Sequence, residues 1–241
     1  MIKESYTASI KKRWQTSLAS SEFTIKLLTS IIIFIIGAVQ LSTYFKNIQK
    51  REGIELSDFV LNHIPALDVS TPIFTTIYGM LIYMLCKVFT KPQVLLLFTY
   101  TFVIETIFRM STIYLFPLNP PANLVILHDT FAEIAIYGNS EPITKDLFFS
   151  GHTSTMVMIW LFLETPREKV ISAIAAVVLA VLLLIQHVHY TIDVLGAVFF
   201  TVLAYFLARY ILQLRWQISC VIMAGFYAIM QIVFILAGKI I

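Results

Sequence analysis

Two short polar stretches sit at the margins of apolar runs: Ser-Gly-His-Thr at residues 150–153 and His-Val-His-Tyr-Thr-Ile-Asp-Val at residues 187–194. His189 and Asp193 stand four apart, a spacing that places them on one face of a helix. An aspartate that accepts a proton from one imidazole nitrogen fixes the tautomer and leaves the other nitrogen as nucleophile or base. In the first stretch Ser150 suits a helix N-cap, and Gly151 lets a ligand approach the backbone. His152 then stands beside open helix amides that attract an anion, where it can hand a proton to a leaving oxygen. Each stretch alone also has a plain reading. The first fits a Ser-capped helix with an interfacial histidine, and the second a pair that satisfies itself by hydrogen bonding. Together they are more specific, because ionisable residues at membrane depth are costly and point to function.

The depth follows from composition. Of 241 residues 59% are hydrophobic and 13% charged, against about 45–50% and about 25% in soluble domains. Apolar runs cover Leu27–Tyr44, Pro72–Phe89, Val94–Phe116, Leu147–Leu163, Val170–Val188, Thr191–Tyr210 and Ile218–Gly238. The expected fold class is all-α: a polytopic membrane bundle of six to seven transmembrane helices. Residues 1–26 form a cytoplasmic N-terminal segment and residues 27–241 a single transmembrane catalytic domain. The fourth run is short and begins in a polar motif, as suits a helix whose end lines a cavity. Cys86 and Cys220 lie in apolar runs and read as small buried hydrophobes. No cleavable signal peptide is expected. The net charge of +3 gives no reason to expect nucleic acid.

Positive charge sets sidedness. With the N-terminus inside, eleven Lys and Arg fall on the inner face and five on the outer. His63, His128, His152, His187 and His189 then share the outer face with Asp68, Asp129, Asp146 and Asp193. The two long connections, 45–71 and 117–146, lie there too. Chemistry is expected at the periplasmic, lumenal or extracellular side. Arg109 is four residues after Glu105. It reads either as a phosphate clamp, for which a guanidinium is suited, or as half of an intramembrane pair. Asp146 either bonds near the site or caps the following helix. His187, two residues from His189, points away from it on a regular helix and suits a supporting role. His63 and His128 read as loop histidines. Lys-Lys-Arg-Trp at 11–14 fits anionic inner-leaflet lipids, or a plain topology signal.

These motifs resemble those of sphingomyelin synthases and related sphingolipid synthases, within the type-two phosphatidic acid phosphatase superfamily. Asp146, Ser150, Gly151, His152 and Thr153 match the third signature motif. His189, Tyr190, Thr191, Asp193 and Val194 match the fourth, and His187 has a counterpart in many members. The stretch from Phe108 to Pro121 and the first outer loop near His63–Phe74 resemble the family more loosely. The similarity spans roughly residues 62–210. It implies that His189 attacks phosphorus, Asp193 orients it, and His152 protonates the departing diacylglycerol. A ceramide hydroxyl then takes the phospho-headgroup. Ser150, Gly151, Thr153, Arg109, Asp146 and Tyr190 become the expected substrate-binding residues. A phospholipid donor and a lipid alcohol acceptor are the expected partners, and no cofactor or metal is expected.

The chain departs from the lipid-phosphatase branch, which has Pro before Ser-Gly-His and Ser-Arg ahead of the last histidine. Here Phe149 and the pair Leu182, Leu183 stand at those positions. A lipid phosphatase using the same His/His/Asp site is the first alternative. A metal-binding or transport protein using His152, His187, His189 and Asp193 is a second, and a non-catalytic membrane scaffold a third.

Overall fold

Long runs of Ile, Leu, Phe and Val satisfy their backbone polar groups in lipid only by closing them within helices. A computed structural model describes residues 2–127 and 142–239, with side chains from Thr7 onward. His128 and Asp129 lie outside the described residues. Helices run α1 Ile2–Leu18, α2 Ser21–Lys50, α3 Ser70–Val88, α4 Pro92–Leu115, α5 Gly151–Phe162, α6 Pro166–Ile185, α7 Thr191–Gln213 and α8 Trp216–Ala237. Among the described residues there is no strand. Six helices, α2 to α4 and α6 to α8, are long and apolar enough to cross a membrane. Their outward faces carry Val39, Ile82, Val177, Leu195, Phe199 and Val221, all more than half exposed. Such a surface fits an integral membrane protein.

The sequence marks the helix ends. Ser20 accepts from the Phe23 amide at the start of α2. Thr165 and Glu168 form a reciprocal capping box around Pro166 at α6, and Pro92 opens α4. Two ends are closed from a distance. Lys26 is buried, and its ammonium donates to Leu212 O (3.0 Å) and Leu214 O (2.9 Å) at the end of α7, and to Glu22 (2.7 Å). Arg51 donates to Ile113 O and Tyr114 O at the end of α4.

Helix α4 is central. Half of its most apolar stretch is buried, against 17% for α6. Buried Ala197, Thr201, Ala204 and Ala208 form a small-residue stripe on α7, which lets it lie close along α4. One apolar core joins α2, α4, α7 and α8 around Tyr44, Tyr100, Ile104 and Met223. A second joins α3, α5 and α6 around Ile73, Met156, Ile159 and Leu183.

The fourth apolar run is helical only over Gly151–Phe162. Twelve residues rise about 18 Å, short of the roughly 30 Å hydrocarbon thickness, so α5 does not cross alone. Leu147, Phe149 and Ser150 ahead of it are buried without helical structure. Irregular backbone at this depth persists only when protein groups satisfy it.

Replacing Lys26 by Met leaves the last carbonyls of α7 and the Glu22 carboxylate without their donor. Loss of a buried charged hydrogen-bonding group costs about 1–3 kcal/mol. Thermal unfolding in detergent is expected to show a lower midpoint for Lys26→Met; an unchanged midpoint would mean water replaces the ammonium.

Candidate active site

The irregular stretch before α5 supplies the frame. Phe148 O accepts from Thr112 Oγ1 (3.0 Å), Phe149 O from Arg109 Nε (3.1 Å), and the Ser150 amide donates to Asp193 O (3.1 Å). Two groups from α4 and one from α7 thus hold three consecutive residues. Ser150 Oγ then accepts from the Thr153 amide and caps α5. Gly196 on α7 lets this stretch come close, because a Cβ there would meet the Phe148 ring at 2.8 Å.

His189 and Asp193 meet, but not on one helical face. Helix α7 begins at Thr191, so His189 precedes it and Asp193 occupies its third position. The carboxylate reaches back, accepting from the Tyr190 amide at 2.8 Å and facing His189 Nδ1 at 3.3 Å. Helix capping, rather than the i,i+4 stripe expected from the spacing, brings the pair together. Asp193 is fully buried and His189 is 4% exposed. With Nδ1 committed, Nε2 is the nitrogen left for chemistry.

His152, on the first turn of α5, faces this pair. The two imidazole centres are 6.3 Å apart, and Phe74 of α3 stands edge-on to His152. A phosphorus about 3 Å from one ring and its leaving oxygen about 3 Å from the other fits that gap. Arg109 lies over the start of α5, bonded to Asp146 Oδ2 as well as to Phe149 O. A Cβ on Gly151 would fall 2.7 Å from Arg109 Cζ. Gly151 is therefore the residue that admits a guanidinium to the helix N-terminus. The carboxylate hydrogen-bonded to Arg109 is that of Asp146. Glu105 is buried one turn before Arg109 on α4. Glu105 Oε1, Asp146 Oδ1, Thr153 Oγ1 and Asp193 Oδ1 are buried oxygens with no partner. Buried polar atoms rarely stay unsatisfied.

His187 takes no part in the pair. It adopts a positive φ of 54° in the turn between α6 and α7. Its ring lies between Ala122 O (3.1 Å) and Ile64 O (3.2 Å), joining two loops. That position separates it from a shared ligand set with His152, His189 and Asp193. Tyr190 faces outward from the pair: its hydroxyl donates to Asn119 O and accepts from the Leu56 amide. His63 is a loop residue beside Phe59.

Sequence reasoning did not find Asp58, Thr112 or Gln186. Asp58 Oδ2 accepts from the Thr191 amide (2.6 Å) and Oδ1 from the Thr191 hydroxyl (2.9 Å). It thereby anchors the start of α7 from the first long loop. Its contact with the Val60 amide is a local turn signal, but its partner 133 positions on is not. Gln186, fully buried, donates to Ser70 Oγ and accepts from the Val69 amide.

Burial tends to raise the Asp58 carboxyl, but the Thr191 amide and hydroxyl and the Leu61 and Val60 amides outweigh it and hold it below its ordinary value. The folded form thus binds this proton less tightly than the unfolded chain. Its stabilisation is complete above about pH 4 and is lost as pH falls through the lower folded value. Asp58→Ala is expected to cost about 1 kcal/mol as a lost helix cap and to flatten the acid limb of stability. Identical thermal melts of both proteins from pH 6 to pH 3 would remove this role. Gly151→Ala should displace Arg109 and cut turnover by roughly 100-fold, the scale of one lost oxyanion contact, and lower the melting temperature because the Phe149 carbonyl loses its donor. A Gly151→Ala protein of full activity would show that the guanidinium is not needed at the helix start.

Residues 145–211 match the family model described as the PAP2 superfamily C-terminal domain. The matched stretch carries Asp146, His152, His189 and Asp193, while Arg109 precedes it. No curated protein and no solved structure matches the chain. The match covers part of the chain, and it falls on the stretch that carries these residues.

Proposed function

We propose that the protein is a membrane lipid phosphotransferase that moves a phospho-headgroup from a glycerophospholipid to the hydroxyl of a ceramide-like or other lipid. The observation that carries this reading is the 6.3 Å juxtaposition of His152 and His189, with Asp193 behind one ring and Arg109 over the neighbouring helix start.

In the first step His189 Nε2 attacks phosphorus and the bond to the diacylglycerol oxygen breaks. His152, protonated, gives its proton to that oxygen. The headgroup phosphate is now on His189, and Asp193 balances the charge on its ring. In the second step the acceptor hydroxyl gives its proton to His152, its oxygen attacks phosphorus, and the N–P bond breaks. Arg109 offers forked donors to the phosphoryl oxygens in both steps. A phosphate that enters must share Arg109 with Asp146.

Transfer is preferred to hydrolysis because Leu182 and Leu183 stand where the phosphatase branch carries Ser-Arg, and Leu183 is fully buried in the apolar core. We read residues 1–26 as a cytoplasmic segment ahead of one catalytic domain, 27–241. The active site then faces the outer side, as the bias in Lys and Arg suggests.

Purified protein given a headgroup-labelled phospholipid and ceramide is expected to place the label on ceramide. Label released only as free phosphate or phosphoalcohol would overturn the transferase and show that water is the acceptor. His189→Ala should abolish headgroup release and the acid-labile phosphoprotein, and His152→Ala should abolish turnover. Asp193→Asn should lose roughly 10²–10⁴-fold by favouring the wrong tautomer. Normal turnover by His189→Ala would overturn the nucleophile assignment.

A further inference from the structure

The turn between α6 and α7 carries a buried histidine that the reaction does not use. His187 is 4% exposed, and both of its ring nitrogens meet backbone carbonyls: Nδ1 meets Ala122 O (3.1 Å) and Nε2 meets Ile64 O (3.2 Å). A carbonyl oxygen only accepts, whereas a neutral imidazole has one donor nitrogen and one acceptor nitrogen. In either tautomer the neutral ring therefore leaves a lone pair facing one of these oxygens. The imidazolium is the form that donates from both nitrogens. The residue is held there by a left-handed backbone, φ 54°, a conformation that Asn, Asp and His adopt more readily than other residues with a side chain.

Ile64 belongs to the first long loop and Ala122 to the second, so one ring ties both. The same loops reach this turn through their backbones: the Leu67 amide donates to Ile185 O (3.0 Å) and the Val125 amide to Gln186 O (3.1 Å). His187 lines a cavity of about 780 Å³ between the loops, which gives water and protons a route to the ring. The titratable groups on that lining are Glu55 and Asp58 of the first loop and Tyr190 ahead of α7. Burial tends to raise the Asp58 carboxyl, but the Thr191 donors hold it below its ordinary value, so it is an anion near neutrality. The second loop presents Pro121, Ala122 and Asn123, which carry no charge. After α6 the Gln186 amide is neutral, with Asp68 3.4 Å from it. Carboxylates without a cation on the described lining favour a positive ring.

We infer that His187 is a proton-operated clamp. As an imidazolium it ties the two outer loops to the turn that carries His189, and on losing its proton it releases one of them. Histidine changes charge between about pH 5 and pH 8. The closed clamp binds the proton more tightly than the open one, so its stability is complete at the acid end of that window and falls as pH rises through it. The clamp does not depend on the reaction assigned to His152 and His189.

Hydrogen exchange of the full-length protein in phosphatidylcholine nanodiscs, read by mass spectrometry from about pH 5 to about pH 8 and corrected for intrinsic rates, tests this. Peptides containing the Leu67 and Val125 amides are expected to open roughly tenfold more at the alkaline end, because a tenfold difference in proton affinity appears as a tenfold change in the opening equilibrium. His187→Asn tolerates the left-handed backbone but has no titratable ring, and it should open at these sites without pH dependence. His63→Gln, which removes an exposed histidine bonded to Phe59 O, should keep the wild-type profile. Equal opening of the wild type at both ends of the range would overturn the clamp, whether or not the Asn variant folds. So would a pH dependence that survives His187→Asn or vanishes in His63→Gln.

Discussion

A chain that enters a membrane bundle without helical structure must find partners for its backbone inside the protein, and residues 148–150 set that demand here. Lipid offers no hydrogen bonds, so each unmet carbonyl or amide in this stretch would cost on the order of a few kcal/mol. Arg109 and Thr112 from α4 meet two of the carbonyls, and the backbone of Asp193 meets the Ser150 amide. These same contacts determine where α5 starts. Because α5 starts there, His152 projects toward His189 rather than into lipid.

The arrangement puts structural and chemical roles on the same residues. Asp193 caps α7 through the Tyr190 amide and faces His189 with the same oxygen, so helix start and imidazole orientation are fixed together. Arg109 holds the Phe149 carbonyl while aiming its remaining donors at Asp146 and the start of α5. Gly151 matters because any side chain would exclude that guanidinium. A rigid cluster results, well suited to stabilising charge that develops during a reaction. Its buried carboxylate oxygens without partners show that the cluster is not optimised for stability alone.

Around this centre the described parts of the long loops are fastened by side-chain hydrogen bonds. Asp58 reaches Thr191, Gln186 reaches Ser70 and the Val69 amide, and the His187 ring stands between two loop carbonyls. All converge on the turn between α6 and α7, where His189 sits. The opposite end is closed by side chains that cap helix termini from afar, Lys26 on α7 being one. The bundle is thus fastened at both ends, and its middle relies on small residues of α7 against α4.

Hydropathy alone determined the all-helical class and seven apolar runs, six of which are the long helices, because a span must be apolar over its whole length. It also marked His152, His189 and Asp193, since charge inside such runs is rare and demands a reason. The cap at Ser150 was legible too, because its partner lies within four residues. What only the tertiary structure decided depends on contacts between distant segments. The period of the sequence could not say that His189 lies before its helix, that Asp146 bonds to Arg109, or that Asp58 reaches across 133 positions. Those pairings are set by where α4, α5 and α7 cross, and crossing geometry comes from packing of Ala197, Ala204 and Gly196 against their neighbours, which no local pattern encodes.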